Sequence, residues 1–170
     1  MQARSAVTIR HPVEVVYGFW HDFTNLPSFM NHLESVEPSG DGRSHWTANA
    51  PAGGTVDWEA EIVEDIPNQR IAWRSVEGSK IENAGSVSFT PAPGDRGTEV
   101  RVELTYDPPG GTLGKVVAKL LGEEPQQQVS DDLRRLKQVL ETGQVVLSEG
   151  SPEGTRFLRL LRQRPAQPVG

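Results

Sequence analysis

Seven apolar residues near the C-terminus, Leu113, Val117, Leu121, Val129, Leu133, Leu136 and Leu140, recur at steps of three, four or multiples of four. That spacing draws one apolar stripe along a helix over 110–143. Pro125 falls on the same stripe, so its two halves stay in phase across Gly122 and Pro125. The expectation is one long helix, kinked there because proline lacks a backbone donor and clashes with the preceding turn. A helix with a single apolar stripe must lie on an apolar surface, which the rest of the chain has to supply.

Upstream the apolar period changes. Val7 and Ile9 alternate in an opening strand over 5–9. Pro12 suits the first turn of a helix over 12–22, with Val13, Val16, Tyr17 and Trp20 as its apolar face. A second short helix is expected over 26–32, capped by Thr24 or Asn25, with Pro27 in its first turn. From Leu33 to Asp107 the period is two, giving strands at 34–37, 44–49, 55–65, 70–76, 84–90 and 98–107. The breaks SGDG, PAGG, PN, EGS and PAPGDRG carry turn chemistry, and such short connections favour antiparallel neighbours. Val56, Trp58, Ala60 and Ile62 share one face, against Asp57, Glu59 and Glu61. Val100, Val102, Leu104 and Tyr106 likewise oppose Glu99, Arg101, Glu103 and Thr105. The sheet is therefore one-sided, with Arg74 and Arg101 placed to pair with carboxylates on its charged back. Only the 110–143 helix is long enough to cover the front.

A chain of 170 residues can bury a core of its own as one domain. It has no cysteine, which excludes disulfide scaffolds, thiolate metal sites and cysteine nucleophiles and fits a cytoplasmic setting. No run approaches the roughly 20 apolar residues of a membrane-spanning helix. The first residues lack a signal peptide's apolar core. A net charge of -6 argues against a nucleic-acid partner. The charge is uneven, because Arg156, Arg159, Arg162 and Arg164 face only Glu153 within 151–170. The expected division is a ligand-binding domain over 1–146 and a linker with a basic amphipathic tail over 147–170. Within that tail, 155–164 is suited to a peripheral membrane contact or to self-association.

The elements thus follow in the order strand, two helices, six strands, long helix. Four stretches resemble a known family: HDFTNLPSFMNHLESV (21–36), VDWEAEIVEDIPNQRIAWRSV (56–76), NAGSVSFTPAPGDRGTEVRVELTYDPPGG (83–111) and DLRRLKQVLETG (132–143). They are similar to the START and pollen-allergen-like helix-grip superfamily (SRPBCC), in its polyketide cyclase/dehydrase and coenzyme-Q-binding-like branch. The resemblance spans 3–143. It implies an α+β helix-grip fold, a curved antiparallel sheet of six to seven strands wrapped around the long C-terminal helix, with a cavity for an apolar or amphipathic small molecule between them.

The inward residues are the candidate cavity lining. Trp46, Trp58 and Trp73 stand on consecutive strands and read either as core or as an aromatic wall for a flat ligand. Val87, Phe89, Val102 and Leu104 continue the wall, and Val117, Leu121, Val129 and Leu133 face it from the helix. Ser75 and Tyr106 can each give one hydrogen bond to a ligand or to the core. Catalytic machinery is harder to place. His11, His21, His32 and His45 show no metal-ligand spacing, and there is no Gly-x-Ser-x-Gly elbow. His21 and His45 read as surface or cap residues. The acids fall mostly on solvent faces, with no pair isolated on an apolar face in the way a raised-pKa acid would be. The glycine-rich PPGGTLG over 108–114 lacks the Gly-Lys-Ser/Thr of a phosphate loop and reads as a hinge. The expectation is a binding or carrier protein for a lipid, isoprenoid quinone or polyketide-like molecule, with no cofactor. A cyclase or dehydratase without metal or nucleotide is the alternative, and a self-assembling module built on the tail is a further one.

Overall fold

The computed structural model describes residues 2–49, 53–79, 81–107 and 125–143. Its elements are β1 (Gln2–Ile9), α1 (Val13–His21), a 3-10 helix (Phe23–Ser28), β2 (Leu33–Gly40), β3 (Arg43–Asn49), β4 (Thr55–Ile66), β5 (Arg70–Ser75), β6 (Glu82–Pro91), β7 (Thr98–Asp107) and α2 (Pro125–Thr142). A further short 3-10 turn, Pro93–Asp95, lies in the β6–β7 hairpin. All seven strands form one antiparallel sheet in the order β1-β7-β6-β5-β4-β3-β2. Every connection after β2 is a neighbour-to-neighbour meander, as the short turn sequences require. β1 and β2 are the two edges.

Both edges meet the same helix. Along β1, Arg4 N–H donates to Gln126, Ser5 and Ser130 hydroxyls lie 3.0 Å apart, and Lys137 Nζ donates to Thr8 O at 2.8 Å. Just ahead of β2, Arg135 Nε donates to Phe29 O at 2.9 Å and Gln128 Nε2 to His32 Nδ1 at 3.0 Å. A sheet whose opposite edges touch one helix has to curve around it. Bulges in β2 (between Leu33 and Ser35, and between Pro38 and Gly40) and in β4 (between Ile62 and Glu64) break the flat register and supply local bending. The buried face of α2 is Val129, Asp132, Leu133, Leu136, Val139 and Leu140, set among Trp46, Trp73, Val87, Val100 and Val102 of the sheet.

The second short helix differs from expectation. It is a 3-10 helix beginning at Phe23, and its cap is Asp22, whose carboxylate accepts from Thr24 N–H at 3.1 Å and from the Thr24 hydroxyl at 2.6 Å. Asn25 is instead buried, with its amide donating to Phe19 O at 3.0 Å and so tying this turn to α1. The charged back of the sheet behaves partly as expected. Arg74 pairs across strands with Glu61 at 3.0 Å, whereas Arg101 pairs along its own strand with Glu99 at 2.9 Å. α2 opens on Pro125, in the first turn where a missing N–H costs nothing. The upstream half of the expected 110–143 helix, its kink, the 108–114 hinge and the tail all lie outside the described residues.

Candidate functional site

The register collects one set of residues at one end of the sheet. Leu33 lies opposite Ala48, Asn49 opposite Thr55, Ala60 opposite Ser75, Asn83 opposite Tyr106 and Gln2 opposite Thr105. The start of α2 joins this end through Gln126 and Gln128. The inward residues there are Val56 and Trp58 of β4, Ser75 of β5, Asn83 of β6 and Leu104 of β7, all only partly buried. We call this end the mouth.

Level with Trp58 and Leu104, on neighbouring strands, the face is closed. Trp46 and Trp73 are 5% and 3% exposed, with ring centroids 6.3 Å apart in a stacked arrangement. Phe23 meets both edge-on, at 5.7 Å and 5.5 Å. Val87, Phe89, Val102, Val129 and Leu133 are also buried in this core. Of the expected lining residues whose side chains are described, Trp58, Ser75 and Leu104 are the ones only partly buried. Trp58 joins the aromatic stack through Trp46, directly opposite it in register, at 5.8 Å. Ser75 Oγ accepts from Asn83 N–H at 3.1 Å. Tyr106 is paired through its backbone with Asn83, and Val117 and Leu121 lie outside the described residues.

Polar groups of α2 gather at the same side. Asp132 is 4% exposed on the apolar face of the helix, bonded to Arg135, which in turn holds Phe29 O. Burial pushes its carboxyl up to about 7, against the opposing pull of Arg135. Its neighbour His32 is held neutral: burial, reinforced by the Arg135 charge, lowers its imidazole to about 4. Gln128 donates to His32 Nδ1, which leaves the proton on Nε2. Asp132 is thus an exception to the expectation that the acids fall mostly on solvent faces. The signal was present, since Asp132 follows Val129 by three and precedes Leu136 by four, in the apolar stripe itself.

At the opposite end, Asp65 accepts from the Tyr17 hydroxyl and from His21 Nε2, the latter at 2.8 Å. His45 lies on the back of the sheet between Asp57, at 3.0 Å, and Glu59, at 2.6 Å. Among the described residues, no three His, Asp or Glu side chains are grouped to hold a metal ion, and no helix is long and apolar enough to cross a membrane.

A seven-stranded antiparallel sheet closed around a C-terminal helix, with two short helices after its first strand, is the helix-grip architecture of the SRPBCC superfamily. Within it, the chain belongs to the family described as polyketide cyclase / dehydrase and lipid transport, which matches residues 9–134. A crystal structure of DR_A0006 from Deinococcus radiodurans is 50% identical, with a TM-score of 0.69 over 85% of this chain and 100% of that one. TTHA0849 from Thermus thermophilus is 28% identical, with a TM-score of 0.63 over 81% and 95%. A 17.2 kDa protein from the melC2-rnhH intergenic region of Streptomyces lincolnensis is 31% identical over 140 residues, 82% of this chain and 89% of its own.

Proposed function

We propose that this protein binds and carries an apolar small molecule, of the lipid, isoprenoid quinone or polyketide-like kind, between its sheet and α2. The observation that carries this is the unfinished apolar surface at the mouth. Val56, Trp58 and Leu104 are only partly covered, while Trp46, level with Trp58, and Trp73, level with Leu104 through Gly85, are buried. Preformed apolar concavities with few polar groups are what such ligands fill. The test is calorimetric titration of the full chain with a long-chain fatty acid, an isoprenoid quinone and an anthraquinone. Saturable one-to-one binding of at least one, quenching Trp58-dependent fluorescence, is expected. No saturable binding of any of the three overturns the proposal.

A second reading, a cyclase or dehydratase, is favoured by one observation. Asp132 combines burial, a carboxyl near 7 and an orienting partner in Arg135, which is what a general acid or base requires. Incubation with a linear poly-β-ketone thioester separates the two. A cyclised or dehydrated product lost in Asp132→Asn supports catalysis, and return of the unchanged chain supports carriage.

A further inference from the structure

The end of the sheet opposite the mouth carries a groove of about 200 Å³, walled by the junction of α1 with the 3-10 helix and by the β2–β3 hairpin. Its apolar lining is Phe23, Val36, Pro38 and Ile62. The two hydroxyls on it are already bonded, Thr24 to Asp22 and Ser44 to Trp46 Nε1. More apolar surface is left in water at this end of β4, where Val63 and Ile66 are 50% and 40% exposed. The cations at the groove have partners. His21 meets Asp65 at 2.8 Å, and Arg43 meets Glu61 at 3.7 Å, a carboxylate that also holds Arg74. Two carboxylates do not. Asp22 lines one wall, and Asp41 stands on the other between Gly40 and Gly42; neither is in an ion pair among the described residues.

The chain itself supplies a segment of matching chemistry. Residues 151–170 carry Arg156, Arg159, Arg162 and Arg164 against Glu153, a charge of +3 that leaves -9 on residues 1–150 out of the total of -6. At about 100° per residue, Phe157, Leu158, Leu160 and Leu161 would share one face of a helix, with Arg156 and Arg162 on its two flanks. An apolar face flanked by cations complements an apolar groove flanked by Asp22 and Asp41. A segment this short does not hold a helix alone in water, so it needs such a surface. Its reach suffices. α2 ends beside the start of α1, where His11 Nε2 donates to Leu140 O at 2.5 Å, and α1 ends on the groove at His21. The distance to cover is therefore one helix of 9 residues, about 14 Å. The stretch 144–154 can extend to roughly 36 Å.

We propose that 155–164 docks as a helix in this groove of its own chain, with Phe157, Leu160 and Leu161 against Phe23, Val36, Pro38 and Ile62 and its arginines on Asp22 and Asp41. The contact is independent of the carrier function. It lies at the end opposite the mouth, so it leaves the ligand site free while withdrawing the arginines from anionic partners. Its ionic part sits at an exposed rim and therefore weakens with salt.

The chain has no cysteine, so Gln163→Cys gives the full-length protein one attachment point for a nitroxide. In nitrogen-15 NMR spectra the label is expected to broaden the amides of Thr24, Gly40, Gly42 and Ile62 and to spare those of Trp58 and Asn83 at the mouth. Reversing the flanking charges together, Arg156→Glu with Arg162→Glu, is expected to abolish that broadening, and salt at about 1 M to reduce it. Asp41→Lys tests the groove side and is expected to reduce it as well; should that variant fail to fold, the tail pair decides. A label that broadens no groove amide overturns the proposal, and so does broadening that survives the double reversal. Broadening that arises only when a labelled chain is mixed with an unlabelled nitrogen-15 chain gives the groove to a second copy's tail and overturns the contact within one chain. A tail that leaves the groove amides sharp and binds vesicles of anionic phospholipid overturns it in favour of a membrane contact.

Discussion

The indole of Trp73 lies where a side chain on Gly85 would have to be. These residues face each other across β5 and β6, and a Cβ on Gly85 would sit 2.4 Å from Trp73 Cζ2, 2.6 Å from Cε2 and 2.8 Å from Leu104 Cδ2. The glycine is needed for its missing volume, which lets the Trp73 indole lie against the sheet. Gly85→Ala therefore overpacks the centre of the grip and is expected to cost about 3 kcal/mol. That corresponds to a fall in Tm of roughly 10 °C for a domain this size. In a double-mutant cycle, Trp73→Leu should relieve much of the penalty, so the double variant loses less than the two single losses combined. Additive losses would show that the contact is not the cause.

Asp65 is the carboxylate that strict alternation would place on the back of the sheet. The extra residue at the β4 bulge changes this, since Ile62 pairs with Trp73 but Asp65 then pairs with inward-facing Ile71. Asp65 thereby reaches Tyr17 and His21 of α1, which hold its carboxyl below the usual carboxylate range. Tyr17 is pushed up to about 12, by burial first and then by the bond to Asp65. In a Tyr106→Phe background, which leaves Tyr17 as the remaining tyrosine, Asp65→Asn should lower the phenol's titration midpoint, read by ultraviolet absorbance. Burial persists, so the midpoint should stop short of the ordinary value near 10. An unmoved midpoint would mean that burial alone holds the phenol.

What the sequence made legible, and what it hid, follows from this geometry. Period-two runs such as Val100, Val102 and Leu104 depend only on local alternation, so the strands and their inward faces could be read directly. The single bulge at Val63 leaves no local signature and reverses the facing of everything after it in β4. Likewise, Trp46, Trp58 and Trp73 were visible as an inward set. Their division into closed core and open mouth depends on Phe23 and Trp20 arriving from elements far away in sequence. Asp132 was hidden by its neighbour Asp131, which is part-exposed and pairs with Arg134 as a surface acid does. Two adjacent aspartates look alike until the helix is docked.

His45 has both ring nitrogens against carboxylates, an arrangement that needs both to be donors and hence a protonated ring. The bond to Glu59 is the main cause that raises its pKa, and the charges of Glu59 and Asp57 add to it. Followed by the NMR shifts of the imidazole across a pH series, Glu59→Gln should lower the midpoint more than Asp57→Asn does. A raised histidine stabilises the fold below its ordinary pKa and loses that contribution as pH rises through the raised value. The ring is more than a third exposed, so the thermal consequence should be small. A larger drop in Asp57→Asn would reverse the assignment of the dominant partner.

Asp132 and His32 pull the stability of the same helix in opposite directions with pH. Asp132 titrates at about 7 in the fold and near its ordinary value of 3.8 when unfolded, so between those values the folded state holds the extra proton. Stability from this group is therefore complete below 3.8, falls as pH rises and is gone above 7. His32 titrates at about 4 in the fold against 6.5 unfolded, so between those values the unfolded state holds the extra proton. Its contribution is complete above 6.5 and falls as pH drops toward 4. Over the shared window the two slopes, each at most about 1.4 kcal/mol per pH unit, largely cancel in the intact protein. Removing one should expose the other. Relative to wild type, Asp132→Asn is expected to gain Tm steadily as pH rises from about 4 to 7, and His32→Gln to gain it as pH falls from 6.5 to about 4. Taking differences from wild type removes the background of groups common to all three proteins, such as Asp65 and Glu141. Parallel Tm-against-pH curves for wild type and both variants would show that neither group is shifted as its surroundings require.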